Sequence, residues 1–443
     1  MRLLCAIAVV ALLPAAACSS SGSKSSSSPA DAGSDVTSPG DGGGGGEAGE
    51  AGEAGPPGGD GGVGYDGSIA AAGFPQVPHN QPDAGIFSAL RLVTIVPSNY
   101  GTAADETELD SWGDYVVTSS WLSTVVAQYG APTSGTSGHL SGPAITDATY
   151  TEALAVAYVD GVLATDGGAA YAPDGHTVYA LYLPPTTTVS DPYCAIHYKL
   201  GPTGDAVALI QTCTDPGVTT LQSAMLAAGH ELVEALTDTP GGAGYTLDAD
   251  TLQPPALTPW AFFENTNGTP HSELGDLCAK TRWTENGFVF TRIWSNEAAA
   301  AGGDPCAPAV PQPYYNVKTT QSWALAAAGQ TVTIPLTGWT TGGTTTDWAL
   351  EVSEVANSTQ STTSTATLTT PTLTSATSAT YAGKTYPTLN AGKTASLAVA
   401  VPSTAAHGAW AALELRSEHF DATGQALLDP DVFHAWFVGV YVP

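Results

Sequence analysis

The spacing of apolar positions divides the chain into a part with helices and strands and a later part with strands only. Between about residues 86 and 312, apolar positions at helical spacing alternate with short runs rich in Val, Tyr and Leu. The predicted helices are 112–129, 149–163 and 219–236, and the predicted strands are 90–96, 177–183, 206–211 and 288–294. This alternation predicts an α/β or α+β domain over 86–312.

From about residue 314 the pattern changes to short alternating segments separated by Gly and Pro. Thr and Ser dominate there, and the clearest strand candidates are 331–336, 395–401 and 434–442. Several short strands with turn residues between them predict a β-sandwich. We therefore expect an all-β sandwich domain over 313–443, an accessory module without a catalytic constellation of its own.

The first 85 residues lack the pattern of a folded domain. Arg2 precedes an apolar run that ends in Ala-Ala-Ala-Cys at 15–18, which predicts a signal peptide over 1–18. The end of this run resembles a bacterial lipobox, so Cys18 is the expected lipidation site, and a plain secretory signal is the alternative. Segment 19–85 is rich in Ser, Gly and acidic residues and too poor in apolar ones to offset its ordering entropy. It is expected to be a disordered tether.

Net charge narrows the choice of partners. The chain carries 41 acidic and 11 basic side chains, a formal net charge of −30. Phosphate contacts need Lys and Arg, so this balance argues against nucleic acid and against electrostatic binding to anionic lipid. Membrane attachment is expected only through the N-terminal lipid. The lipobox resemblance, with Ser19 directly after the Cys, implies an exported lipoprotein on the outer membrane or extracellular surface of a Gram-negative bacterium.

The cysteines are consistent with export. Apart from Cys5 in the signal segment and Cys18, the chain has four cysteines, an even number that favours two disulfides in an exported protein. Four cysteines allow three pairings. We favour the two local pairs, Cys194–Cys213 and Cys278–Cys306.

The main chemical signal lies in the third predicted helix. His230 and Glu234 are four residues apart, so they share a helix face and can point at one ion. Glu231 occupies the place of the general base in the H-E-x-x-H helix of zinc proteases, and Glu234 replaces the second His. Imidazole and carboxylate both suit Zn²⁺. The motif predicts a metal-dependent hydrolase, and its alternative is a surface helix with solvated acids.

A catalytic zinc site needs a third protein ligand. About 40 residues downstream, Glu273 and Asp276 are the best candidates, with Glu273 ranked first and His271 as the alternative. A separate pair, Asp248 and Asp250, could bind structural Ca²⁺. A turn with solvated carboxylates is the preferred explanation of that pair.

These motifs occur in an order that resembles a known family. H-E-L-V-E-A-L-T-D at 230–238, E-L-G-D-L-C at 273–278 and W-S-N at 294–296 precede the last cysteine, Cys306. The set is similar to a bacterial group of secreted proteins related to the plant EXORDIUM (phosphate-induced) family. Upstream, Y-C-A-I-H-Y at 193–198 resembles the C-x-x-H segment of the same group.

The resemblance covers roughly 90–308 and departs from the family at Thr239, where Pro is usual. It implies a zincin-like domain whose site consists of His230, Glu231, Glu234, Glu273 and Asp276. It also implies that His197 faces the cleft as an oxyanion donor, a proton donor or a further ligand. A buried, hydrogen-bonded histidine beside a disulfide is an equal alternative for His197.

The sequence therefore predicts a zinc-dependent metallopeptidase exported to the cell surface. Glu231 would act as general base for the water that attacks a carbonyl of a protein or peptide substrate. The rival is a non-catalytic cell-surface or cell-wall protein that binds protein or polysaccharide on a zincin-like scaffold. Candidate stacking rings for a polysaccharide are Trp260, Trp283, Trp294 and Trp339.

Overall fold

The computed structural model describes residues 69–79, 86–165, 167–190, 193–201, 203–215, 217–238, 244–247, 252–263, 272–342, 346–359, 367–420 and 434–443. The predictions for the signal peptide, for Cys18 and for most of the tether lie outside these residues, as do His271, Asp248 and Asp250. All described residues belong to one compact unit. Within them, no helix is long and apolar enough to cross a membrane.

Up to residue 307 the chain forms both helices and strands. In chain order they are β1 Arg91–Pro97, α1 Ala103–Val116, α2 Ser120–Val126, β2 Thr136–Gly142, β3 Thr149–Tyr150, α3 Glu152–Leu163, β4 Thr177–Tyr182, β5 Thr188–Val189, β6 Ala195–Leu200, β7 Asp205–Ile210, α4 Thr220–Thr237, β8 Arg282–Glu285, β9 Phe288–Thr291, β10 Ile293–Trp294, α5 Asn296–Ala300 and β11 Cys306–Ala307. Short 3-10 turns lie at 127–129, 168–171, 259–262 and 276–278.

A five-stranded sheet forms the centre of this part, in the order β2-β1-β4-β7-β6. The first four strands are parallel, and β6 at one edge is antiparallel to β7. On one face, Val159 of α3 packs with Tyr179 and Val207, while α1 and α4 contact the sheet and each other. Strands β4 and β7 are therefore buried along their whole length, which explains why their sequences are nearly continuous apolar runs.

The predicted helix over 112–129 is not continuous, because helix α1 ends at Val116 and a new helix begins at Ser120. The side chain of Ser119 accepts a hydrogen bond from the N–H of Leu122 and begins α2. The predicted helix over 149–163 begins later, at residue 152, because Thr151 caps it. The sequence pattern does not predict the edge strands β2 and β6, because apolar and polar residues alternate only weakly in such short polar or mixed segments.

The C-terminal part is built of strands. They are β12 Tyr315–Lys318, β13 Trp323–Leu325, β14 Thr331–Thr340, β15 Trp348–Asn357, β16 Thr370–Ser375, β17 Thr377–Tyr381, β18 Lys384–Leu389, β19 Thr394–Ala400, β20 Trp410–Glu418 and β21 His434–Tyr441. They form a four-stranded sheet, β12-β14-β19-β16, and a six-stranded sheet, β13-β21-β20-β15-β18-β17. In β14, Ile334 and Leu336 are buried while Thr333 and Pro335 are exposed. These β-rich, sandwich-like sheets agree with the prediction for this region.

The segment 69–79 contacts both parts. The N–H of Ala70 donates to the carbonyl of Pro255, and the side chain of Ser322 donates to the carbonyl of Ala70. Phe74 lies in a cluster of aromatic rings, with its centroid 5.3 Å from that of Trp436. Val77 exchanges two backbone hydrogen bonds with the side chain of Asn296. We call residues 69–79 the N-terminal strap.

Both predicted disulfides are confirmed. Cys194 is bonded to Cys213, and Cys278 is bonded to Cys306. Disulfides persist in oxidising compartments, so they indicate an extracellular or periplasmic protein.

Candidate metal centre

Helix α4 carries the motif residues into the interior. Thr219 caps the helix: its side chain accepts a hydrogen bond from the N–H of Gln222, whose side chain accepts one from the N–H of Thr219. Every residue from 223 to 237 is buried, because the helix lies between the five-stranded sheet and the strand pair β8–β9. The acidic motif residues are therefore held in the protein interior, away from solvent. An uncompensated charge is costly in this environment.

The first group of donor atoms combines His230, Glu234 and Asp276. Nε2 of His230 is 3.0 Å from Oε1 of Glu234 and 3.5 Å from Oδ1 of Asp276. One donor atom from each residue lies within 4.8 Å of the other two, and all three residues are buried. One imidazole and two carboxylates at this spacing could hold a metal ion.

The second group combines His197 of β6 with Glu231 and Glu234 of α4. Nδ1 of His197 is 3.0 Å from Oε2 of Glu231 and 3.9 Å from Oε2 of Glu234. These donors are also buried and within 4.8 Å of one another, so they too could hold an ion. In the part of the chain that the structure describes, these are the two groups that meet this spacing.

Segment 272–278 reaches the centre through a tight turn. The N–H of Glu273 donates to Oδ2 of Asp276 at 2.9 Å, and a 3-10 turn begins at Asp276. Gly275 lies so close to His230 that a Cβ atom there would be 2.8 Å from Nδ1. The absence of a side chain at this position therefore allows the segment to approach the donors.

Several buried polar atoms of the centre have no hydrogen-bond partner among the described residues. They are both ring nitrogens of His230, Oε1 of Glu231 and both carboxylate oxygens of Glu234. The 3.0 Å contact between His230 and Glu234 has the distance of an ion pair without hydrogen-bond geometry. A buried polar atom left unpaired costs about 1–3 kcal/mol. The carboxylate oxygens and one ring nitrogen of a neutral imidazole have lone pairs to share, so a divalent ion fits them.

Burial and excess negative charge raise the pKa values of the centre. Burial raises the pKa of Glu234 well above its usual range, and the charges of Glu273 and Asp276 add to this shift. Burial also raises the pKa of Glu231, despite its hydrogen bond with His197. Burial lowers the pKa of His197, but the hydrogen bond with Glu231 and the charge of Glu273 outweigh it and raise this pKa to about 10. Without a metal ion, the centre therefore holds protons.

The structure brings most of the predicted site residues together. Asp276, rather than the first-ranked Glu273, supplies the third donor beside His230 and Glu234. Glu273 is also buried and acts on His197 through its charge. His197 itself is buried and hydrogen-bonded, as one of its two predicted alternatives required.

Two of the four candidate stacking rings belong to the interior. Trp260 and Trp294 are 3% and 1% exposed, and both contact Phe74. Trp283 and Trp339 are half-buried. Trp260 and Trp294 therefore contribute to packing and offer no ring face to a polysaccharide.

No protein-family model matches the sequence, and no curated protein matches it. Among solved structures, the chain is similar to domains 4 and 5 of the S-layer protein SbsC, with 14% identity, a TM-score of 0.17 and coverage of 30% of this chain and 53% of that one. It is also similar to a family 123 glycoside hydrolase from Clostridium perfringens, with 12% identity, a TM-score of 0.18 and coverage of 29% and 27%. The chain thus spans about half the length of the first and about a quarter of the second. Similarities this weak carry no argument about function.

Proposed function

We propose that the protein is an exported metal-dependent hydrolase of the zinc-peptidase type. The observation that carries the proposal is the buried donor group of His230, Glu234 and Asp276, with the Glu231 carboxylate beside it. A motif helix packed on a mixed sheet supports the zincin-like domain that the EXORDIUM-family resemblance implies. The two disulfides support export, and Cys18 is the proposed lipid anchor.

His230, Glu234 and Asp276 would supply one nitrogen and two carboxylate ligands. A zinc ion bound there would provide Lewis acidity that polarises a peptide carbonyl and lowers the pKa of water. Two carboxylates make this ligand set more anionic than one with two histidines, which favours a weaker Lewis acid and admits other divalent ions.

Glu231 would serve as the general base of the reaction. Its Oε1 atom has no hydrogen-bond partner among the described residues, while Oε2 is held by His197. A carboxylate fixed at one oxygen keeps the other oriented to take a proton from water and deliver it to the leaving amine. Burial raises the pKa of Glu231, which makes its carboxylate a stronger base than a solvent-exposed one.

The second candidate is a non-catalytic surface protein in which the metal is structural. The hydrogen bond between Glu231 and His197 favours it, since it engages the proposed base. Complete burial of the Glu231 side chain favours it as well. A structural metal would mainly stabilise the fold, and its removal would lower the melting temperature.

The test is metal content together with cleavage of an unfolded protein substrate by the purified full chain. Glu231→Gln should abolish cleavage, while the variant still binds metal and keeps the circular dichroism spectrum of the parent. Glu108→Gln, the same change at an exposed helical position, is the matched control and should cleave normally. Bound metal without cleavage in the parent would favour the structural role, and a folded parent that binds no zinc would overturn the metal site itself.

A further inference from the structure

Glu234 belongs to both donor groups, and its two carboxylate oxygens face different histidines. Oε1 is 3.0 Å from Nε2 of His230, and Oε2 is 3.9 Å from Nδ1 of His197. The remaining donors divide in the same way, with Asp276 beside His230 and Glu231 beside His197. A carboxylate in this position can bind one ion through each oxygen.

We propose that the centre holds two divalent ions bridged by the Glu234 carboxylate. The first ion would be held by His230, Asp276 and Oε1 of Glu234. The second would be held by His197, Glu231 and Oε2 of Glu234. This inference rests on the metal site of the proposed function and adds the second ion to it.

The charge of the buried residues is matched by two ions. Glu231, Glu234, Glu273 and Asp276 are all buried, and with neutral histidines the four carboxylates carry a charge of −4. One divalent ion would leave two negative charges that protons would have to balance, because an uncompensated buried charge is costly. Two divalent ions neutralise the set.

The two proposed ions would have the same kinds of ligands. Each ion would receive one imidazole nitrogen and two carboxylate oxygens, a set that suits Zn²⁺, Co²⁺ and Mn²⁺ more than Ca²⁺. Two-metal hydrolytic sites place their ions about 3.5–4 Å apart, a separation that one carboxylate can span. Oε1 of Glu231 and both oxygens of Glu234 have no hydrogen-bond partner among the described residues.

The second ion changes the role of Glu231 and His197. In a one-ion site they are a proton-handling pair, and in a two-ion site they are ligands. Glu231→Gln therefore distinguishes the arrangements by metal content as well as by activity. A one-ion site keeps its full content in this variant, whereas a two-ion site falls from two equivalents to about one.

The experiment loads the metal-free full chain with zinc alone and measures bound zinc per chain by elemental analysis after desalting. We expect two equivalents in the parent, about one in His197→Ala and in Glu231→Gln, and two in His139→Ala. His139 is a matched control because it lies between two carboxylates, Asp110 and Asp114, outside both donor groups. Circular dichroism checks the fold of each variant.

A measurement on the parent alone guards against variants that fail to fold. Loading with Mn²⁺ should give the exchange-coupled electron paramagnetic resonance spectrum of a bridged pair. One zinc equivalent and an isolated six-line Mn²⁺ signal would overturn the two-ion centre and leave the one-ion site standing. Binding of neither metal by a folded parent would overturn both.

Discussion

The backbone of Gly275 lies against the carboxylate of Glu234, so that a Cβ atom at residue 275 would be 2.7 Å from Oε1. Real Cβ atoms do not approach an oxygen this closely, so a methyl group would displace Glu234, His230 or the turn itself. We expect Gly275→Ala to reduce zinc affinity at least tenfold. Isothermal titration with zinc against the parent measures this change.

Gly161 provides the control for that substitution. It lies in helix α3, and a Cβ atom there would meet nothing within 4 Å. Gly161→Ala should stabilise the protein by about 0.5–1 kcal/mol through helix propensity and leave zinc affinity unchanged. Equal zinc affinities for the two variants would show that the Gly275 contact is unimportant for the centre.

The metal-free protein should lose stability as the pH rises. His197 has a pKa of about 10 in the folded protein, against an ordinary value of 6.5, so the folded state binds its proton more tightly. The stability from this group is fully present below pH 6.5 and is lost as the pH rises towards 10. Glu231 and Glu234 act in the same direction, because burial raises their pKa values.

Melting temperatures in a chelating buffer at pH 6.5, 8 and 9.5 measure this loss. Saturating zinc should abolish the decline, because bound metal replaces the protons. A chelated protein whose melting temperature stays level or increases over this range would contradict the raised pKa of His197.

Glu285 should stabilise the start of helix α2. Its carboxylate accepts hydrogen bonds from the N–H of Ser120 at 2.9 Å, from the side chain of Ser120 at 2.6 Å and from Tyr115 at 2.6 Å. Despite an opposing effect of burial, these bonds lower the pKa of Glu285 to about 2. Its contribution is present above pH 4.5 and is lost as the pH falls towards 2.

Glu285→Gln should lower the free energy of unfolding at pH 7 by about 1 kcal/mol, the usual effect of a lost helix cap. The difference from the parent should shrink as the pH approaches 2. Urea denaturation at pH 7 and pH 3 tests both statements, with the exposed Glu108→Gln as control. A constant difference at both pH values would rule out the charge of Glu285 as the cause.

Phe74 should anchor the N-terminal strap. Its ring is 5.7 Å from that of Trp260 and 5.3 Å from that of Trp436. Because Phe74 is half-buried, we expect Phe74→Ala to cost about 2–3 kcal/mol, at or below the low end of the range for buried Phe. Urea denaturation should show this loss, and limited proteolysis should cut the strap sooner. Ile69→Ala, at an exposed strap position, should have a negligible effect.

The sequence was sufficient to predict the motif helix and the pairing of its residues. The predicted range 219–236 differs by one residue at each end from the observed helix Thr220–Thr237. His230 and Glu234 meet because i and i+4 positions share a helix face, which depends on no distant contact. The two local disulfides were also predicted, since short separations favour pairing along the chain.

Other features depend on contacts between distant parts of the chain. The break before α2 is reinforced by Glu285, which lies 165 residues from Ser120. The structure places Asp276, and not Glu273, within the donor spacing of His230 and Glu234, and a backbone bridge joins Glu273 to Thr246. The sequence does show Gly275 between the two candidate carboxylates. That this glycine lies against His230 and Glu234 of α4 is visible only in the folded structure.

The two disulfides give the centre a dependence on cellular compartment. Cys194 lies three residues before His197, and Cys278 lies two residues after Asp276. Each donor outside α4 is therefore held next to a covalent crosslink that reducing cytoplasm would prevent. In the proposed function, the crosslinks would form after export and would hold these donors in place for metal binding.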